Sequence, residues 1–135
     1  MNNRSNMRKT LATLAIIAMV FSVAWAASTP SVTVQWTMPT VNLDGTPLTD
    51  LAGAKIYYGT ASSNYTHVVD VGMVESYTVT GLVEGVTYYF NGTAYNTAGL
   101  ESDFCNEVAK VATKSGSVIR LAADRPPRRL WIGRE

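Results

Sequence analysis

Hydrophobic and polar positions alternate in short runs along most of the chain, and each run predicts a β-strand with two unlike faces. Ser31 to Thr37 sets Val32, Val34 and Trp36 on one side against Thr33, Gln35 and Thr37 on the other. Ala54 to Tyr58 predicts a second strand and Tyr65 to Gly72 a third; Ser76 to Leu82 predicts a fourth, with Tyr77 and Val79 facing inward. The strand that begins at Tyr88 is the most informative. Tyr88, Phe90, Gly92 and Ala94 make its apolar side, and Tyr89, Asn91, Thr93 and Tyr95 its polar side. A last strand is expected from Ser102 to Thr113.

The punctuation between these runs is turn chemistry. Pro39 removes a ladder donor just after Trp36, and Asn42, Asp44-Gly45 and Pro47 mark a long loop before the second strand. Gly59 to Asn64, Glu84-Gly85 and Asn96 to Leu100 supply the later turns. Short strands at this spacing predict an all-β antiparallel sandwich, and residues 27–114 call for no helix. Trp36 is the large residue that a small sandwich places at its centre. Leu82, the Glu84-Gly85 turn and Tyr88 predict a tyrosine corner, in which a buried ring sends its hydroxyl back to nearby backbone.

Leu82, Tyr88, Ala94, Asn96 and the Asn96-Thr97-Ala98-Gly99 turn together resemble the E to G region of a fibronectin type III domain, an immunoglobulin-like β-sandwich. The resemblance covers about residues 31 to 114. It implies that Ile56 and Tyr58 join Trp36, Leu82, Tyr88 and Phe90 in the core, with Ala54 inward and Lys55 and Tyr57 outward. It also implies a domain that binds, spaces or adheres rather than one that catalyses. Two departures stand out. Removal of residues 1–26 as a signal peptide would leave only Ala27 to Pro30 ahead of the strand at Ser31, so the family's first strand is short or missing and the edge of its second strand, strand B, is expected to stand open to another chain. Gly92 and Ala54 also remove volume from the core, which is either loosened there or filled by other side chains.

The N-terminus reads as a secretory signal peptide over 1–26. Arg4, Arg8 and Lys9 precede an apolar run from Leu11 to Val23, and Ala24-Trp25-Ala26 offers the cleavage site. The other reading is an uncleaved anchor, for which the run is short of a full membrane span. The mature chain is expected to be exported, periplasmic or extracellular, with no stable membrane span after cleavage. Charge is unevenly placed. Residues 27–115 hold three lysines against eight carboxylates, leaving −5, while residues 116–135 hold five arginines against two, leaving +3. An acidic body gives no support for nucleic-acid binding. The basic segment 115–135 reads as a flexible tail broken by Pro126-Pro127. Alternatively Val118, Ile119 and Leu121 lie along the open strand edge, or Trp131 and the arginines dock on an anionic partner or membrane surface.

Candidate chemistry is sparse, and the expectation is a non-catalytic protein with no cofactor and no metal site. His67 has no nucleophile motif or metal-ligand spacing around it. Asn42, Asp44 and Asp50 match no calcium loop, and Glu101 and Asp103 read as solvated strand residues. Cys105, the one cysteine, is either buried in the last strand or exposed and able to link two chains into a dimer. Asn64-Tyr65-Thr66 and Asn91-Gly92-Thr93 match the weak glycosylation sequon. Tyr57, Tyr89 and Tyr95 lie on the outward side of neighbouring strands and form a candidate ligand-binding strip, or else pack across strands. The expected function is an exported binding module for a polysaccharide, a cell surface or a protein. The alternative is an assembly subunit that pairs with a partner through the open edge or the tail.

Overall fold

Strands form where β-branched and aromatic residues alternate with polar ones, and seven of them occur: β1 (Val32–Gln35), β2 (Leu51–Gly59), β3 (His67–Gly72), β4 (Ser76–Val79), β5 (Thr87–Asn96), β6 (Val108–Val111) and β7 (Val118–Arg120). The computed structural model describes residues 28–122, so the expected signal peptide and the Trp131 end of the tail lie outside the described residues. No helix occurs among them, and none is therefore long and apolar enough to cross a membrane.

The strands make two sheets, ordered β4-β1-β7 and β3-β2-β5-β6, an all-β arrangement compatible with a β-sandwich. All pairings are antiparallel except that of β7 with β1, which is parallel. Alternation in β1 turns Val32, Val34 and Trp36 inward, where they join Ile56, Leu82, Tyr88 and Phe90 in one buried cluster drawn from both sheets. Tyr58 is half-buried against that cluster. The Tyr88 ring is buried and its hydroxyl accepts the Val83 N–H at 3.1 Å, which ties the turn before β5 to the strand itself.

Three features bear on points where the sequence expectation was open or differed, and the first takes up the alternative that Val118, Ile119 and Leu121 lie along the strand edge. The edge of β1 does not stand open. Residues 115–122 continue the fold past the boundary expected at 114, and β7 runs beside β1 with Thr33 opposite Val118, Val34 opposite Ile119 and Gln35 opposite Arg120. The Thr33 N–H donates to Ser117 O at 2.7 Å and the Leu121 N–H to Gln35 O at 2.8 Å, so the exposed ladder groups of β1 are satisfied by the chain's own end. Ile119 and Leu121 are buried, each contributing about 1.5–3 kcal/mol. An open β-edge and two apolar side chains in water are both costly, and one strand removes both costs.

At Gly92 the structure decides between the two expected alternatives, a loosened core and a filled one. The space left by its missing side chain is filled by Leu121, whose Cδ1 is 3.3 Å from where a Cβ would stand, with Ile56 Cδ1 at 3.8 Å. The third concerns the last expected strand, of which only Val108–Val111 pairs regularly with β5. Between Ser102 and Val108 the chain follows β5 irregularly, with the Ser102 N–H on Ala94 O at 2.8 Å and the Cys105 N–H on Gly92 O at 3.1 Å. Three steps of chain from 102 to 105 there span two steps of β5, and such an extra residue disrupts a ladder. Cys105 consequently sits in a bulged connection, half-buried, and not in a strand.

Candidate functional site

The outward side chains of β2 and β5 form the surface on which the tyrosine strip was expected. Register places Tyr57 opposite Asn91, Lys55 opposite Thr93, Gly53 opposite Tyr95 and Gly59 opposite Tyr89. The three tyrosines therefore share a face, but they do not form one bare platform. The bulged segment between β5 and β6 sends Glu101 and Phe104 across the outer face of β5 to β2. Asn91 and Thr93, polar residues on the outer face of a sheet, are buried beneath them at 5% and 4% exposure.

Glu101 gathers the centre of this surface. It forms an ion pair with Lys55, accepts the Tyr57 hydroxyl at 2.7 Å and accepts the Thr93 hydroxyl at 3.0 Å. Partial burial pushes its carboxyl up, yet the bonds from Lys55, Tyr57 and Thr93 outweigh that and hold it below its ordinary value. The same bond to Glu101 raises the Lys55 ammonium, while loss of water and then Glu101 raise the Tyr57 hydroxyl.

A second carboxylate closes the neighbouring corner. Glu107 accepts from the Ser62 hydroxyl at 2.6 Å, the Tyr65 hydroxyl at 2.6 Å and the Ser63 N–H at 2.8 Å, and these donors hold it below its ordinary value. Between the two carboxylates the rings of Tyr57, Tyr65 and Phe104 meet, with Tyr57 and Phe104 edge to face at 4.9 Å and Tyr65 and Phe104 at 5.3 Å. Aromatic pairs of this kind contribute about 0.5–1.5 kcal/mol beyond their buried area. The Asn91 amide donates to the Tyr65 hydroxyl at 3.0 Å, and the Cys105 thiol donates to Asn91 Oδ1 at 3.0 Å. The thiol is thereby turned onto the sheet.

Tyr95 stands apart from this cluster. Its hydroxyl donates to Asp70 at 2.9 Å, its ring carries Lys55 at 5.5 Å, and it lies over Gly53, where an added Cβ would come within 2.6 Å of its hydroxyl oxygen. The Asp70 bond raises the Tyr95 hydroxyl above its ordinary value. Tyr89 lies between Gly59 and Ala109 of the flanking strands and is half-buried. Sequence reasoning thus found Tyr57, Tyr89 and Tyr95 on the correct face but missed Tyr65, Phe104 and Glu107. The sequence expectation of a regular strand from Ser102 gave no signal for a segment that folds over that face.

The remaining sequence candidates are accounted for locally. His67 stacks on Tyr58 at 4.7 Å with planes 12° apart. Asn42 is buried and donates to Thr46 Oγ1 and Pro47 O, both at 3.0 Å, Asp44 accepts from the Thr46 N–H and hydroxyl, and Asp50 accepts from Asn96 at 3.1 Å. These three residues hold turns rather than converge on one point. Among the described residues no group of three His, Cys, Asp or Glu side chains is placed to hold a metal ion. Of the two sequon asparagines, Asn64 is exposed and Asn91 buried.

A different surface lies at the end of the domain where β1 and β3 finish. The β1–β2 loop and the β3–β4 turn are joined there by bonds from the Trp36 N–H to Glu75 O at 3.1 Å and from the Met38 N–H to Glu75 Oε1 at 3.0 Å. These two connections carry four exposed apolar side chains: Val41 at 48%, Leu43 at 78%, Met73 at 60% and Val74 at 45%.

No family model matches the chain, and no solved structure does. The chain is similar to a Kelch domain-containing protein of Saccharolobus solfataricus, at 37% identity over 79 residues. The match takes in 58% of this chain and 10% of that protein, so the chain spans about a tenth of the length of the curated relative.

Proposed function

We propose that this chain is an exported interaction module of the fibronectin type III kind, without catalytic activity, that binds a protein partner through the loops where β1 and β3 end. Three observations support the module reading. The two-sheet order accommodates the expected fold, the Tyr88 hydroxyl bonds back to Val83, and the stretch shared with the relative has the size of one domain within a much longer protein.

The observation that carries the binding reading is that Val41, Leu43, Met73 and Val74, all exposed, fall on two connections bonded to each other through Glu75. Exposed apolar side chains gathered on joined connections of a small domain suit contact with another molecule. Aliphatic side chains and methionine suit an apolar protein surface, whereas a sugar ring is met by flat aromatic rings. The tyrosines that would offer such rings have two of their three hydroxyls engaged, by Glu101 and Asp70.

The test is retention of partners from envelope and medium fractions on the immobilised chain, comparing Leu43→Ser with Met73→Ser combined against Tyr57, Tyr89 and Tyr95 all changed to Ala. Loss of a retained protein in the loop variant alone supports the reading. Retention that survives the loop variant and disappears with the tyrosines returns the site to the sheet face.

A further inference from the structure

We propose that β7 is exchangeable between two copies of this chain, each copy seating its own Ile119 and Leu121 in the other. The proposal rests on how β7 is attached, how it is held and what it leaves behind, and is independent of the loop surface.

Within the described residues the chain leads into β7 through the connection that follows β6, and beyond the strand a single bond, from the Ala122 N–H to Asn106 Oδ1 at 2.6 Å, ties it to the β5–β6 connection. Ala112 is anchored firmly, donating to Val86 O at 2.9 Å and accepting from the Gly85 N–H at 2.9 Å. Past it the chain turns, with the Gly116 N–H on Thr113 O at 3.0 Å and Gly116 at φ 70°. Glycine adopts extended φ as readily as this left-handed one, so the turn straightens without steric cost and the strand then points away from its own domain. Nothing else in the two sheets has to change for this to happen.

The hold on β7 is short. Three register pairs join it to β1 in a parallel ladder, the less stable kind of pairing per residue, and two of its neighbourhood's side chains, Ile119 and Leu121, enter the core. Short elements held by few pairs open at the low end of a protein's range of local stabilities.

The vacated seat is specific. Without β7 the Thr33 N–H and the Gln35 carbonyl lose their partners, and the space over Gly92 loses the Leu121 methyl that fills it. No side chain of β5 can reach that space, because the residue beneath it is glycine. The seat therefore requires an extended apolar-x-apolar segment in parallel register, and residues 117–121 of a second copy supply Ser117 O to Thr33, the Leu121 N–H to Gln35, and Ile119 and Leu121 to the core. Exchange of an identical element is the low-cost route to a dimer for this reason.

The experiment uses the full chain with Cys105→Ser, which keeps a hydroxyl donor to Asn91. Thr33→Cys is placed in one copy and Val118→Cys in another; these positions face outward in direct register. The same two changes in one chain check that both are tolerated and within disulfide reach. The separate variants are then mixed at high concentration under oxidising conditions, beside a control mixture of Thr78→Cys with Val118→Cys, since Thr78 lies on the far side of β1 from β7. Exchange predicts a disulfide-linked heterodimer at least several-fold above the control. It also predicts more heterodimer with Gly116→Val, which strains the closed turn. Heterodimer at the control level in both backgrounds overturns the proposal.

Discussion

Leu121 stands over Gly92, its Cδ1 3.3 Å from the place a Cβ would take, and this contact joins the chain's last described strand to the middle of β5. A glycine on the inward face of a central strand leaves a void unless something else fills it. Here the filler comes from the other sheet. Leu121→Ala should cost about 2–5 kcal/mol, and Gly92→Val, which overpacks the same space, about 1–3 kcal/mol. The double variant should be less destabilised than the sum of the two, because the valine enters the space the leucine vacates. Denaturant unfolding of the four proteins checks this; strict additivity would show that the two sites do not share one space.

Ending the chain at Lys114 should remove far more than a tail. Ile119 and Leu121 together contribute about 3–6 kcal/mol of burial, a large part of the 5–15 kcal/mol that holds an ordinary domain folded. The shortened protein should melt far below the full chain or fail to fold. An unchanged melting temperature would show that β7 does not contribute to the core.

Tyr88→Phe keeps the buried ring and removes the acceptor for the Val83 N–H. The expected loss is about 1 kcal/mol, with the m-value unchanged.

The cover over the outer face should loosen in acid. Glu101 and Glu107 both lie below their ordinary values when folded, owing chiefly to the donors gathered around them. Stability from such groups is fully present above the unfolded value of about 4.3 and is lost as pH falls through the lower folded value. Amide hydrogen exchange between residues 101 and 107 should therefore rise below about pH 4 while the β1 and β2 amides stay protected. Glu101→Gln should blunt this response, since it removes the charge that Lys55 pairs with.

The three outward tyrosines should separate in their effect on stability. Tyr57→Ala removes a hydroxyl bond to Glu101 and the edge contact with Phe104, and should lower the melting temperature measurably. Tyr89→Ala, at a half-buried position between Gly59 and Ala109, should cost clearly less. Equal losses would contradict the cover described for this face.

What was legible in the sequence was what depends on neighbours along the chain. Alternation at Val32, Val34 and Trp36 and at Tyr88 and Phe90 determines which side of a strand is apolar, because successive side chains of an extended backbone point opposite ways. The spacing of Leu82, Gly85 and Tyr88 likewise carried the turn that Val83 and Tyr88 close. What only the tertiary structure decided was which distant segments meet. The sequence left residues 115–122 open between a flexible tail and a segment along the strand edge, and β7 forms because the edge of β1 and the space over Gly92 accept it. Phe104 and Glu101 look like ordinary connection residues until the irregular connection between β5 and β6 carries them across the sheet onto Tyr57. Local pattern follows from the geometry of one strand, whereas cover and complementarity depend on the shape of surfaces that exist only once the sheets have formed.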